Sequence, residues 1–210
     1  MACGARKIKR CSARQTPSTA ADAKPARILY AQTMNIRPYQ GITPRLGANV
    51  YIDPAAHLIG DVEIGDDASL WPCAVARGDV HYIKIGARTN VQDGAVLHVT
   101  HDGEHTAGGF PLVIGADVTI GHAAVVHACT LMDACLIGMH ATVLDGVVVN
   151  RHSMIGAGAV VTPGKIVGEG ELWVGNPARC VRQLSDEEIE RLYYSARHYV
   201  KLKNRYLANG

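Results

Sequence analysis

No run of 18 apolar residues occurs in this 210-residue chain, so no membrane-spanning helix is expected. There is no CxxC pair either. The six cysteines, Cys3, Cys11, Cys73, Cys129, Cys135 and Cys180, are scattered, which excludes a zinc ribbon and a dense disulfide framework. They read as small buried thiols of a reducing compartment. No basic patch is interleaved with aromatics and no phosphate loop is present, which excludes nucleic acid and nucleotide partners. Residues 1–33 hold one acidic residue, Asp22, among many Ala, Lys, Arg, Ser and Thr. They lack hydrophobic periodicity and an apolar h-region, so a secretory signal is not expected. Two readings of this stretch stand: an upstream Met ahead of a true start at Met34, or an organellar transit peptide. It is expected to be disordered in both. The first places the protein in the cytoplasm, the second in an organelle.

What the sequence does have is a period of six. An aliphatic or small residue recurs at Leu46, Ile52, Leu58, Ile64, Leu70 and Ala76, then at Ile85, Val91 and Leu97. It returns at Ile114, Ile120, Val126 and Met132, and at Ile137, Val143, Val149, Ile155 and Val161. The next position is often Gly, as at Gly65, Gly86, Gly115, Gly121, Gly138 and Gly156. The fifth is small or β-branched, as at Ala68, Ala74, Thr89, Ala95, Val118, Ala124 and Ala141. A hexapeptide period of this kind predicts a left-handed parallel β-helix, an all-β fold in which three sixes close one triangular coil of 18 residues. An ordinary β-sandwich with regular strand spacing is the alternative. About eighteen sixes held in phase over roughly 120 residues argue against it.

The breaks in phase carry information too. Ala76 to Ile85 is an insertion of three residues, and Met132 to Ile137 is a turn shortened by one. Leu97 to Ile114 is an excursion of eleven residues beyond one regular step. That excursion, Val99 to Pro111, is polar and Gly-rich and ends in Pro, which predicts an exposed loop thrown off one corner.

The phase also gives three histidines a direction. His98 and His127 both take the second position of a six and lie one coil plus the excursion apart. They should stack on adjacent coils about 4.8 Å apart. His122 takes the third position of the preceding face, round a corner, and a single rod does not readily bring it to the other two. Three rods packed side by side do, with His98 and His127 from one subunit and His122 from its neighbour. Imidazole is the commonest protein metal ligand, and three around an open position make a catalytic site. Unrelated surface histidines on a flat face are the alternative.

At this point the chain resembles the γ-class carbonic anhydrases. The resemblance is carried by Arg77-Gly-Asp-Val80, Thr89-Asn-Val-Gln-Asp-Gly94, Val96-Leu-His98, Ile120-Gly-His122, Val126-His127 and Ile137-Gly-Met139. It covers residues 46 to 165, and the C-terminal helix also fits. It implies a homotrimer with three interfacial metal sites, ligated by His98 and His127 of one subunit and His122 of the next. It implies reversible hydration of carbon dioxide to bicarbonate by a metal-activated water whose pKa falls to about 7. Zinc suits three imidazoles, and ferrous iron or cobalt would also bind. By resemblance Arg77 and Asp79 are an intersubunit salt bridge, Gln92 hydrogen-bonds the bound water, and Asn90 and Asp93 are further polar groups of the pocket. An acidic neighbour, Asp79 or Asp93, is expected to fix a histidine tautomer.

Turnover also needs a proton carrier. One branch of the family uses a glutamate on a longer acidic loop. The shorter loop here offers His101, Asp102, Glu104 and His105, of which His101, Glu104 and His105 are the candidate carriers. A tyrosine of the C-terminal helix reaches the pocket in some relatives, with Tyr193, Tyr194 and Tyr199 as candidates here and Tyr194 the one selected.

His57, His81, His140, His152 and His198 lack the ligands' register and are expected at the surface or an interface. The predicted organisation is an extension at 1–33, the β-helix at 34–167, a connector at 168–184 that leaves the rod as a turn, and an α-helix at 185–210. Ser185-Asp-Glu-Glu188 reads as a capping box opening that helix. Ile189, Leu192, Ala196, Tyr199, Lys203 and Tyr206, widened by Tyr193, Val200 and Leu207, form its buried stripe. Two further functions stay open. One is a hexapeptide acyltransferase. The other is a metal-binding scaffold with little hydration activity, or one acting on another small substrate such as a thioester.

Overall fold

The computed structural model describes residue 1 and residues 35–209. The expectations for residues 2–34, including a start at Met34, lie outside the described residues. The fold is the parallel β-helix that the period of six predicts, with one helix along its side.

Three ladders of short strands form the three faces. On the first, Leu58, Ala76, Leu97, Val126, Val143 and Val161 stand directly over one another and are fully buried. On the second the stack is Leu46, Ile64, Ile85, Ile114, Leu131, Val149 and Val167. On the third it is Ile52, Leu70, Val91, Ile120, Ile137, Ile155 and Trp173. Each buried Ile or Leu contributes roughly 1.5–3 kcal/mol. A slip of one residue would turn a whole ladder outward, so the register is strongly specified.

Corners impose a second constraint. The fourth residue of most sixes sits at positive φ, as at Asp67, Cys73, Arg88, Asp117, Ala123, Ala134 and His140. The second residue must approach the coil above closely. A Cβ on Gly86 would stand 2.3 Å from the carbonyl carbon of Gly115, which only glycine avoids.

These corners correct the reading around residue 132. Leu131, not Met132, is the inward residue, paired with Ile114 and Val149, while Met132 is exposed. The shortened turn is therefore Val126 to Leu131, immediately after His127. Both choices look aliphatic in sequence. Positive φ at Ala134, three residues after Leu131, marks which one holds the phase.

The excursion leaves the corner between the first and second faces and folds back on itself. Thr100 pairs with Phe110 and Gly103 with Thr106. The segment 168–184 is not a bare connector. Glu171–Gly175 continues the third face above Met154–Ile155, and Ala178–Gln183 returns antiparallel to it. The last coil needs a cover for its open edge, and this hairpin supplies it.

The helix Asp186–Asn209 opens on the reciprocal capping box expected: Ser185 N–H donates to Glu188 Oε2 (3.0 Å), and Glu188 N–H donates to Ser185 Oγ (3.3 Å). It descends along the third face. Leu192 and Ala196 are buried, and Tyr199 and Tyr206 pack edge-on to Trp71. Lys203 is fully buried and donates to Asn49 O (2.6 Å) and Asp67 Oδ1 (2.7 Å). Tyr206 and Leu207, both expected in the buried stripe, are exposed, although Tyr206 still packs one side of its ring on Tyr51 and Trp71.

The corrected register is testable by denaturation. Leu131→Ala is expected to cost about 2–5 kcal/mol through cavity formation. Met132→Ala should stay within about 0.5 kcal/mol of the parent. The reverse order would restore the original phase.

Candidate metal centre

His98 and His127 are brought together by register alone. Their strands, Val96–His98 and Val125–His127, pair in parallel with the two histidines directly opposite. The rings lie 5.2 Å apart between centroids, and His98 Nδ1 is 3.1 Å from His127 Nε2.

The outer nitrogens are held by carboxylates. His98 Nε2 is 3.0 Å from Asp79 Oδ1, and Asp79 also pairs with Arg77. His127 Nδ1 is 2.7 Å from Asp145 Oδ1, and Thr100 Oγ1 donates to the other oxygen of Asp145. Burial pushes both aspartates up, but hydrogen bonds from Arg77 and His98, and from Thr100 and His127, hold both below the usual carboxylate range. Both are therefore ionised acceptors, and each histidine must donate its N–H outward to them. Burial lowers His98, which favours its neutral form.

With both rings neutral, His98 Nδ1 and His127 Nε2 present two lone pairs facing one another at 3.1 Å. Such a pair needs a positive centre beside it. Two nitrogens each about 2.0–2.1 Å from a tetrahedral zinc lie about 3.3 Å apart. The observed separation fits that edge, and a carboxylate behind each imidazole is the usual support for a metal-bound histidine.

His122 lies at the opposite edge of the first face, on the corner shared with the third. Its Nδ1 is 2.9 Å from Asp93 Oδ2, so it too has a carboxylate at one nitrogen. Among the described residues no three His, Cys, Asp or Glu side chains of the one chain are arranged to hold a metal ion. One rod thus presents two of the candidate histidines at one edge and the third at the other.

Gln92 and Asn90 are buried beneath His122. Gln92 Nε2 donates to Asn90 Oδ1 (3.2 Å), and Asn90 Nδ2 donates to Thr119 Oγ1 (3.0 Å). This fixes the Gln92 amide so that its oxygen faces outward. Arg77 and Asp79 pair within one chain, so their ion pair forms without a neighbour. His101, Glu104 and His105 are exposed on the folded-back excursion. Tyr194 is 63% exposed and stacks on His198, outside the pocket. The tyrosine that lines the groove beside His122 is Tyr199, because the helix turns that side to Trp71 and the rod. His152 is also no free surface group: its Nε2 is 2.9 Å from Tyr193 OH.

Sequence reasoning missed Asp145 and Thr100. Asp145 stands 18 residues after His127, but the coil from Val126 to Val143 has only 17, so the count sets Leu144 over His127 and leaves Asp145 one position further round the corner. Thr100 reaches Asp145 from the excursion, which follows no period.

Residues 43–78 and 128–163 match the family model of the bacterial transferase hexapeptide (six repeats). The chain is 50% identical to protein YrdA of Escherichia coli over 83% of this chain and 95% of that one. It is 52% identical to a probable carbonic anhydrase of Methanocaldococcus jannaschii over 75% of this chain and 94% of that one. The crystal structure of a hexapeptide transferase family protein from Anaplasma phagocytophilum matches with a TM-score of 0.77 at 42% identity, covering 83% of this chain and 99% of that one.

If the carboxylates support metal ligands, Asp145→Ala should weaken divalent-metal affinity by about 10–100-fold. Competition with a chromophoric chelator measures this, and unchanged affinity would contradict the arrangement.

Proposed function

The chain belongs to the γ-class carbonic anhydrase family, and on that premise we propose that it is a metal-dependent carbonic anhydrase-like lyase working as a homotrimer. Each site is formed by His98 and His127 of one subunit with His122 of the partner subunit. The observation that carries this reading is the pair of imidazole nitrogens 3.1 Å apart, each ring backed by an aspartate at its other nitrogen.

The surface of the first face supports the assembly. Its outward residues, Val75, Val96, Val125, Thr142 and Val160, form one β-branched stripe between the two histidine edges. Val96 is 41% exposed in the single chain. Closing three such faces about one axis buries the stripes and apposes the His98–His127 edge of one copy to the His122 edge of the next.

A divalent cation, zinc or else ferrous iron or cobalt, supplies a water ionised near neutral pH, the nucleophile for carbon dioxide. The chain's own groups position the reactants. Asn90 holds the Gln92 amide so that its oxygen can accept a hydrogen bond from that water. Asp79, Asp93 and Asp145 keep the three imidazoles in one tautomer and orientation. His101, Glu104 and His105 are the groups from which a proton would reach bulk water.

A second reading has its own support. His101, Glu104 and His105 are exposed on the excursion, and no side-chain hydrogen bond ties any of them to Asp79, Asp145 or the histidines. A metal-binding accessory protein with little hydration activity would carry the same ligands without a relay.

The full chain, purified without oxygen, should hold about one metal per subunit and hydrate carbon dioxide, with both lost in His122→Ala. A metal-replete trimer inactive across the pH range would favour the accessory reading.

A further inference from the structure

The third face changes character above Thr119. Below it the helix covers the rod through Trp71, Tyr199 and Lys203. Above it the outward residues are Leu136 and Met154, stacked in register, and the adjoining corner adds Met139 and Ala157. Between this face and the helix, at Ser195 and Tyr199, lies a groove of about 400 Å³ that runs up from His122.

Polar groups gather at its lower end only. Ser195 Oγ lies 3.0 Å from Thr119 Oγ1, and either hydroxyl can turn its proton toward a ligand. The Tyr199 hydroxyl has no hydrogen bond among the described residues, and the Gln92 oxygen faces the same space. No Lys, Arg, Asp or Glu lines the groove. Asp93, paired to His122 at its mouth, disfavours an anion there, and no unpaired acid awaits a cation.

The groove is far too large for carbon dioxide, a three-atom molecule not much larger than a water with its share of roughly 30 Å³. Its size and its apolar body with a small polar end are those of a small-molecule site. We propose that this groove binds a neutral carbonyl compound with a short aliphatic chain. The chain lies on Leu136, Met139 and Met154, and the carbonyl oxygen accepts from Ser195 or Tyr199. Binding needs no metal. Only the idea that such a compound reaches the reactive centre rests on the reading above.

The test uses the full-length protein as it assembles, with its methionine methyl groups carbon-13 labelled, titrated with 2-hexanone. Saturable shifts are expected at Met139 and Met154 and not at Met132, which lies on another corner. Hexanoate and hexylammonium should bind at least tenfold more weakly. Ala157→Trp, which fills the groove from an exposed position, should weaken 2-hexanone at least tenfold. Ser195→Ala should weaken it severalfold. Three results would each overturn the proposal: no saturable shift at Met139 and Met154, equal binding of hexanoate, or mixed-label contacts showing that a second copy already fills the groove. Saturation in metal-stripped protein separates this result from the carbonic anhydrase reading. Metal binding and hydration without any 2-hexanone shift would sink the groove alone.

Discussion

The parallel stacking of one coil on the next governs everything else in this molecule. Because strands pair in register, a residue's height and direction follow from its place in the count. His98 over His127 is the direct product of that count, while Asp145 meets His127 from the corner of the next coil, one position past the register. The histidines are not gathered by a flexible loop that closes on a ligand. They are fixed by backbone hydrogen bonds in a buried ladder, and the two bare nitrogens face each other before any ion arrives. Preorganisation of this sort spares the cost of ordering ligands at the moment of binding.

The same geometry divides the site. One triangular face carries ligands at both edges, and no bending of a rigid rod brings those edges together. In the proposed trimer the β-branched stripe between those edges would supply the driving force for assembly. Assembly and metal binding would then be two aspects of one equilibrium, since an ion that bridges two chains stabilises only the assembled state. The groove beside the helix belongs to a different part of the design. It lies between the outward side chains of Leu136 and Met154 and the helix at Ser195 and Tyr199.

Much of this was legible in the sequence, and the limits have physical causes. The rod, its three faces and the stacking of His98 on His127 follow from a strict period, which encodes burial directly. The capping box at Ser185 and Glu188 was equally readable, because it depends on local hydrogen bonds. Where two neighbours are both apolar, as at Leu131 and Met132, hydropathy does not distinguish inward from outward, and corner dihedrals decide. Segment 168–184 carries no hexapeptide signal because its second strand runs antiparallel. Tyr194 and Tyr199 are chemically identical candidates, separated only by how the helix rotates against Trp71. Thr100 belongs to the excursion, where no period applies. Asp145 escaped the count because the shortened turn after His127 makes that coil 17 residues long and sets Leu144, not Asp145, in register.

The central claim is that each centre takes ligands from two chains, and subunit mixing tests it most directly. A His122→Ala chain and a His98→Ala/His127→Ala chain are each expected to be inactive and metal-poor alone. Unfolded and refolded together in equal amounts, they should form hybrid trimers in which one edge of each kind meets intact. Random mixing in a closed threefold ring restores about a quarter of the parental metal content and activity. If the mixture stays as metal-poor as its components while mixed trimers form, the ligands do not meet across the interface and the account fails.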